Sequence, residues 1–290
     1  MIKKTLLFTF IVAPMLSLTL AGVTVYFMYQ TTFVGPDSAF TVYPGDTFGQ
    51  VNARLYENKV MSNTRLFHYL ARYKGAMNKR RAGAYPIPAG AKMQDVLEIL
   101  VSGQPLLVGV TVPEGRNMYE VASVLEKGML ANKEDFIAYV KNPEVIKSFG
   151  IDAPSLEGYL YPETYRFAPG TSMKEIVATM VGQFKQKTQG LLEGHPFLTP
   201  HQVVILASVV EKETGAKTER PMIASVFTNR LKKHMRLESD PTTIYGIWER
   251  YTGNIRKDDL LTYSPYNTYK IPALPLGPIS NPSLEALKAV

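Results

Sequence analysis

Two carboxylates close an apolar run. Val203-Val204-Ile205-Leu206-Ala207 and Val209-Val210 lead into Glu211-Lys212-Glu213-Thr214. Thr199-Pro200 supplies a capping hydroxyl and a first-turn proline, so the run reads as a helix beginning beside His201. Apolar residues on every side of it predict burial. A carboxylate at the end of a buried apolar helix is desolvated, which raises its pKa. A raised Glu pKa is what a general acid needs near neutral pH. Glu211 and Glu213 lie two apart, about 200° round a helix axis, so only one faces a given cleft. The residues alone leave both open, along with the plainer reading of two surface acids on a last helical turn.

Further polar groups follow downstream: Glu219, Asn229, Arg230, Glu238, Asp240, Tyr245, Tyr266, Asn267 and Tyr269. Tyrosine rings stack on sugars, and amides satisfy hydroxyl and N-acetyl groups. A turn with packed aromatics is the other reading of Tyr266-Asn-Thr-Tyr269. Competing chemistries lack their residues. The chain has no cysteine, which removes thiolate zinc sites, iron–sulfur clusters, a Cys nucleophile and disulfides. Its four histidines, His68, His195, His201 and His234, have no ligand spacing. No Walker loop, dinucleotide fingerprint, G-x-S-x-G or H-E-x-x-H is present. No metal and no cofactor is expected.

The elements that position these groups show a repeated unit. The turn glycines Gly45, Gly90, Gly115 and Gly170 each follow a β-rich or aromatic stretch. Six residues on stand Val51, Val96, Val121 and Ile176, within apolar residues at helical spacing. The unit is therefore strand, tight turn, helix. Two copies match over a longer range at an offset of 70: Thr41-Val42, Gly45, Val51, Leu55 and Tyr69 pair with Thr111-Val112, Gly115, Val121, Leu125 and Tyr139. Beyond residue 190 a buried helix and a second helix, with Thr218 as cap and Pro221 in its first turn, form an antiparallel pair. Gly215 is the expected C-cap of the first. The closing Pro-rich stretch from Tyr263 to Pro282 suits the lining of a cleft.

The N-terminus reads as a membrane anchor. No charge falls between Thr5 and Pro36, and Leu6 to Tyr29 is long enough for a bilayer of about 30 Å. Lys3 and Lys4 precede it, which places the N-terminus in the cytoplasm and the body outside. The 290 residues carry a net charge of +7, which favours anionic partners. Between Asn58 and Gln94 there is no acid, while Lys59, Arg65, Arg72, Lys74, Lys79, Arg80, Arg81 and Lys92 interleave with Phe67, Tyr69, Tyr73 and Tyr85. That stretch is a solvated basic face, or a surface for lipid headgroups or an anionic glycan. An extracytoplasmic body makes nucleic acid an unsuitable partner.

Several motifs in order resemble the endolytic murein transglycosylases, the YceG-like (MltG) family. They are Leu156-Glu-Gly-Tyr-Leu-Tyr-Pro-Glu-Thr-Tyr165, Glu211-Lys-Glu-Thr214, Ser225-Val-Phe-Thr-Asn-Arg-Leu231, Met235-Arg-Leu-Glu-Ser-Asp-Pro-Thr242 with Ile244-Tyr-Gly246, Ser264-Pro-Tyr-Asn-Thr-Tyr269 and Gly277-Pro-Ile-Ser-Asn-Pro282. The resemblance implies non-hydrolytic cleavage of peptidoglycan strands between N-acetylmuramic acid and N-acetylglucosamine, leaving 1,6-anhydro ends. It places the catalytic acid/base at Glu213, with Glu211 as the alternative. Substrate contacts are expected from Glu219, Asn229, Arg230, Asp240, Tyr245, Tyr266, Asn267 and Tyr269. A lyase of the bacterial cytoplasmic membrane is implied, associated with peptidoglycan synthases. A non-catalytic glycan-binding scaffold is the alternative function. Ala273 and Leu276 stand where the family tends to have Gly and Pro.

The expected fold is α+β: a cytoplasmic stub (1–4), a transmembrane helix (5–29), a linker (30–38), a LysM-like strand–turn–helix module (39–105) and a mixed α/β catalytic region (106–290). That region divides into a strand–helix part (106–190) and an active-site part (191–290) rich in helix around the Glu. Its end at Val290 is expected to fall short of the family's final β-rich segment.

Overall fold

The structure is a computed structural model, described here over residues 8–30, 38–43, 45–79 and 82–290. The chain divides into two compact units, one of residues 1–108 with 168–171 and one of 109–167 with 172–290.

In the first unit, a π-helical turn (Phe8–Val12) precedes α1 (Ala13–Gln30). Here the expected transmembrane helix is corrected: no described helix is long and apolar enough to cross a membrane. The reason is local. The turn ahead of Pro14 is π-helical, so regular α-helix starts only at Ala13 and has 18 residues. That length is at the lower end of what a span requires, so the shortfall lies in apolar content, which Pro14, Gly22 and Gln30 dilute. Ser17, Thr19 and Thr24 also interrupt the apolar run, each bonding back to a carbonyl four residues earlier. Lys3, Lys4, linker residues 31–37, Arg80 and Arg81 lie outside the described residues.

The rest of this unit runs β1 (Ser38–Val42), α2 (Phe48–Glu57), α3 (Thr64–Tyr73), β2 (Gly83–Ile87), α4 (Met93–Ser102). β1 and β2 pair antiparallel with Phe40 opposite Tyr85. Their apolar faces and the helices bury Phe40, Val51, Leu55, Phe67, Leu70, Tyr85 and Val96. The acid-free segment folds into this unit. Phe67 and Tyr85 enter the core, while Arg65, Tyr69, Arg72 and Tyr73 stay exposed along α3.

The order repeats, almost wholly within the second unit: β3 (Val108–Thr111), α5 (Met118–Lys127), α6 (Lys133–Val140), α7 (Pro143–Ser148), β4 (Thr164–Phe167), α8 (Met173–Lys187). β3 and β4 form a two-stranded sheet. The 70-residue offset therefore marks two copies of strand–helix–helix–strand–helix, with α7 inserted in the second. All four turn glycines have left-handed φ, from +72° to +83°. Their i+6 residues Val51, Val96, Val121 and Ile176 are fully buried.

The active-site region adds α9 (Pro200–Glu213), α10 (Arg220–Lys232), α11 (Asp240–Gly246), α12 (Lys257–Leu261) and α13 (Leu284–Ala289). Thr199 and Gln202 form a capping box on α9. Val203, Leu206, Val209 and Val210 of α9 pack with Ala224 and Phe227 of α10. Two end assignments shift. α9 stops at Glu213 with Thr214 extended as its C-cap, in place of Gly215. α10 begins at Arg220, because Lys217–Glu219 forms a 3₁₀ turn that takes up Thr218.

Candidate active site

The burial of α9 decides the fate of its two terminal carboxylates. Its side chains from Val203 to Val210 are buried, and the helix emerges at Glu211. Glu211 leaves on the inner side. Its side chain is 5% exposed and receives Arg220 Nη2 at 2.7 Å. Its other oxygen accepts the Ser283 N–H at 3.0 Å and the Ser283 hydroxyl at 2.5 Å. Ser283 is the N-cap of α13, and Arg220 Nη1 also reaches its hydroxyl at 2.9 Å. Glu211 thus clamps three segments.

Glu213, two positions on, is exposed. The burial that would desolvate a carboxylate at this helix end is absent there. Its Oε2 accepts one bond, from the Ser239 hydroxyl at 2.9 Å, and Oε1 has no protein partner among the described residues. Ser239 is 1% exposed and fixed from behind, its N–H donating to Thr268 Oγ1 at 3.0 Å. Thr268 in turn shares a 2.8 Å bond with Thr242. A buried hydroxyl chain thereby holds one oxygen of a solvent-facing carboxylate.

Asp240 and Tyr269 join this cluster. The Tyr269 hydroxyl donates to Asp240 Oδ1 at 2.7 Å. Burial pushes that phenol up to about 12, with Asp240, Glu238 and Glu213 adding their negative charge. Glu238, at φ +56°, lies in the turn that delivers Ser239. Arg230 holds this turn through the carbonyls of Arg236 and Leu237 at 3.2 and 2.8 Å and through Glu238 at 3.2 Å. Glu219 accepts the Thr214 hydroxyl at 2.6 Å and closes the loop after Glu213. Asn229 is exposed on α10.

Asn267 stands elsewhere. It is fully buried, donating to the carbonyls of Asp259, Leu260 and Thr262 and accepting from Thr243 Oγ1 and Tyr269 N–H. It organises the loop that carries Thr268 and Tyr269. Tyr245 and Tyr266 form a second cluster, their rings 4.8 Å apart. Among the described residues no group of three or more His, Asp or Glu is arranged to hold a metal ion.

The sequence pattern of the YceG-like family matches residues 40–290, most of the chain. The chain belongs to the YceG-like family. It is 30% identical over 292 residues to an endolytic murein transglycosylase of Bacillus subtilis strain 168, covering 91% of this chain and 79% of that protein. It is 28% identical over 278 residues to the endolytic murein transglycosylase of Streptococcus pneumoniae strain D39, covering 84% of this chain and 50% of that one. The crystal structure of a yceG-like protein from Listeria monocytogenes superposes with a TM-score of 0.58 at 28% identity, over 87% of this chain and 89% of that chain. Relatives with these names are lytic transglycosylases, which are lyases.

In this YceG-like chain a further carboxylate, Glu157, carries the desolvation expected at the helix end. It is fully buried, and burial pushes its carboxyl up to about 8, against the downward pull of donors at Met118 N–H and Tyr245 O–H. Those donors lie 2.8 and 2.9 Å from Oε2, and Asn281 Nδ2 lies 3.1 Å from Oε1. Asn281 also donates to the Arg116 carbonyl and accepts from the N–H groups of Gly158 and Leu160. The closing Pro-rich motif therefore serves as an internal bracket, with Ser280, Asn281 and Ser283 all fully buried.

Sequence reasoning on chemistry passed over Glu157, Arg220, Ser239, Asn281 and Ser283. All but Arg220 and Ser283 sit in the family-like motifs, which was the one signal available.

Proposed function

We propose that this chain is a peptidoglycan lytic transglycosylase that cuts glycan strands internally between N-acetylmuramic acid and N-acetylglucosamine, with Glu213 as acid and base. The observation that carries the residue assignment is the contrast at the end of α9. Glu211 is enclosed by Arg220 and Ser283, while Glu213 is exposed and steadied by Ser239. The names of the relatives supply the reaction class.

The chemistry requires one carboxyl group. Protonated Glu213 donates to the glycosidic oxygen as the C1–O bond breaks. The C6 hydroxyl of the same muramic acid closes on C1 and gives its proton to the Glu213 carboxylate, which restores the acid. The attacking oxygen belongs to the substrate, so no water is activated. A hydrolase normally needs a second carboxylate for water or as a nucleophile. The bond from Ser239 fixes the carboxyl plane, which confines the oxygen that transfers the proton. Asp240 and Tyr269, bonded to each other beside Ser239, offer hydrogen bonds to sugar hydroxyls. The exposed row of Arg65, Tyr69, Arg72 and Tyr73 supports a role for the first unit as a LysM-like binder of the same anionic polymer. The substrate implies action outside the cytoplasm, on strands supplied by peptidoglycan synthases as partners.

The test is product analysis. Purified peptidoglycan treated with the chain should yield 1,6-anhydro ends that resist borohydride reduction. Reducible ends would mean a hydrolase, and no new ends would mean a binding scaffold.

A further inference from the structure

A pocket of about 540 Å³ lies at the far end of α11 from the Glu213 cluster. α11 starts at Asp240, beside Ser239, and ends at Gly246 in the pocket wall. Seven helical residues span about 10 Å. The wall is a continuous row of aromatics. Tyr119 stacks on Trp248 with centroids 5.9 Å apart at 16°, Tyr245 lies 6.3 Å from Tyr119, and Tyr266 lies 4.8 Å from Tyr245. A row of faces and edges of this kind fits the apolar faces of pyranose rings.

Its polar groups are few and distinct. The Tyr266 hydroxyl makes no protein hydrogen bond among the described residues, so it is available to a ligand. Arg250 is engaged by Asp259 at 2.7 Å. Lys141 is not in any described ion pair: it donates to the Tyr119 hydroxyl at 3.0 Å and lies 5.0 Å from that ring's centroid. Glu249 is the single acid on the lining. Behind the aromatic row, Glu157 takes the Tyr245 hydroxyl. With its carboxyl pushed up to about 8 by burial, Glu157 is neutral at pH 7 and does not repel an anion. An aromatic wall with one ammonium that has no carboxylate partner among the described residues selects a sugar bearing an acidic arm over a neutral sugar.

We propose that this pocket is an accessory subsite for an N-acetylated sugar carrying a carboxylate side arm, with the aromatic row taking the ring and Lys141 the carboxylate. The identity of the occupant rests on the glycan-cleaving reading above. The subsite would grip, away from the scissile bond, a muramic acid residue whose lactyl carboxylate is not amide-linked to a peptide stem.

Trp248 is the only tryptophan in the chain, so its emission reports this pocket directly. The probes are the disaccharide N-acetylglucosaminyl-N-acetylmuramic acid, with its lactyl carboxylate free, and neutral chitobiose. Both are titrated into the full chain carrying Glu213→Gln, so that turnover plays no part. The acidic disaccharide should change Trp248 emission saturably and bind about tenfold tighter than chitobiose, the factor one charge-assisted hydrogen bond supplies. Lys141→Met, at an exposed position, should weaken the acidic disaccharide about tenfold and leave chitobiose unchanged, with far-UV circular dichroism preserved. A flat titration, equal affinity for the two sugars, or insensitivity to Lys141→Met would overturn the proposal. A saturable response from a chain that yields no anhydro ends would overturn the lyase reading alone. Anhydro ends with a flat titration would overturn the subsite alone.

Discussion

Substituting Glu211 by Ala separates a structural carboxylate from a chemical one. In the folded protein the Glu211 and Arg220 side chains are 5% and 4% exposed and meet at 2.7 Å. Removing the acid leaves a buried guanidinium without its counter-charge, and its Nε already has no partner. Breaking a buried ion pair from one side costs about 3–5 kcal/mol. The Ser283 N–H and hydroxyl lose their acceptor too, which weakens the cap of α13 by about 1 kcal/mol. These losses share partners and do not simply add, so about 4 kcal/mol is the expected total. Urea unfolding followed by Trp248, which lies in the second unit, reads the effect. With a slope of about 2 kcal/mol/M the midpoint should fall by about 2 M at unchanged slope. Arg220→Met should cost a similar amount. The double variant Glu211→Ala/Arg220→Met should lose about 2 kcal/mol less than the sum of the singles, because neither leaves the other unpaired. A midpoint shift below about 0.5 M, or strict additivity, would refute the clamp.

Two further outcomes follow from the buried polar groups. Glu157 holds a proton in the folded state up to about pH 8, against 4.5 for an ordinary Glu. The folded state therefore binds the extra proton. Stability is fully present below about pH 4.5 and is lost as pH rises toward 8, by up to about 1.4 kcal/mol per pH unit. Urea midpoints measured from pH 5 to 8 should fall for the native chain and show a flatter trend for Glu157→Gln; parallel trends would contradict the assignment. Asn281→Ala removes four hydrogen bonds joining Arg116, Glu157, Gly158 and Leu160, and should cost about 3 kcal/mol or more by the same assay.

What was legible in the sequence was local. The glycines at 45, 90, 115 and 170 are read correctly as turns because a left-handed residue between a strand and a helix is chain chemistry on a scale of a few positions. The burial of Val51, Val96, Val121 and Ile176 follows from helical periodicity set by those turns. Thr199-Pro200 is likewise a local signal, and it starts α9 where expected. The apolar N-terminal run misled because its lack of charge hid Pro14, Ser17, Thr19, Thr24 and Gln30, which dilute the apolar content of α1. The polar groups of the site were hard to sort for a different reason. An Asn, Ser or Glu advertises a hydrogen bond but not its partner. Glu211 finds Ser283 at a separation of 72 residues, and Asn281 finds Gly158 at 123. Asn267 looked like a sugar contact and is the core of a loop. Glu157, within a run of tyrosines, carried no periodic mark of its depth.

In the proposed mechanism Glu213 both gives and takes the proton in glycan cleavage. The most direct measurement is the yield of 1,6-anhydro-muramic acid ends, by mass spectrometry, from peptidoglycan incubated with the native chain and with Glu213→Gln. Glu213 is exposed, so the variant should unfold at the native urea concentration, and its anhydro ends should fall to background. Native yields from a folded Glu213→Gln protein would rule out Glu213 as the group that carries the proton.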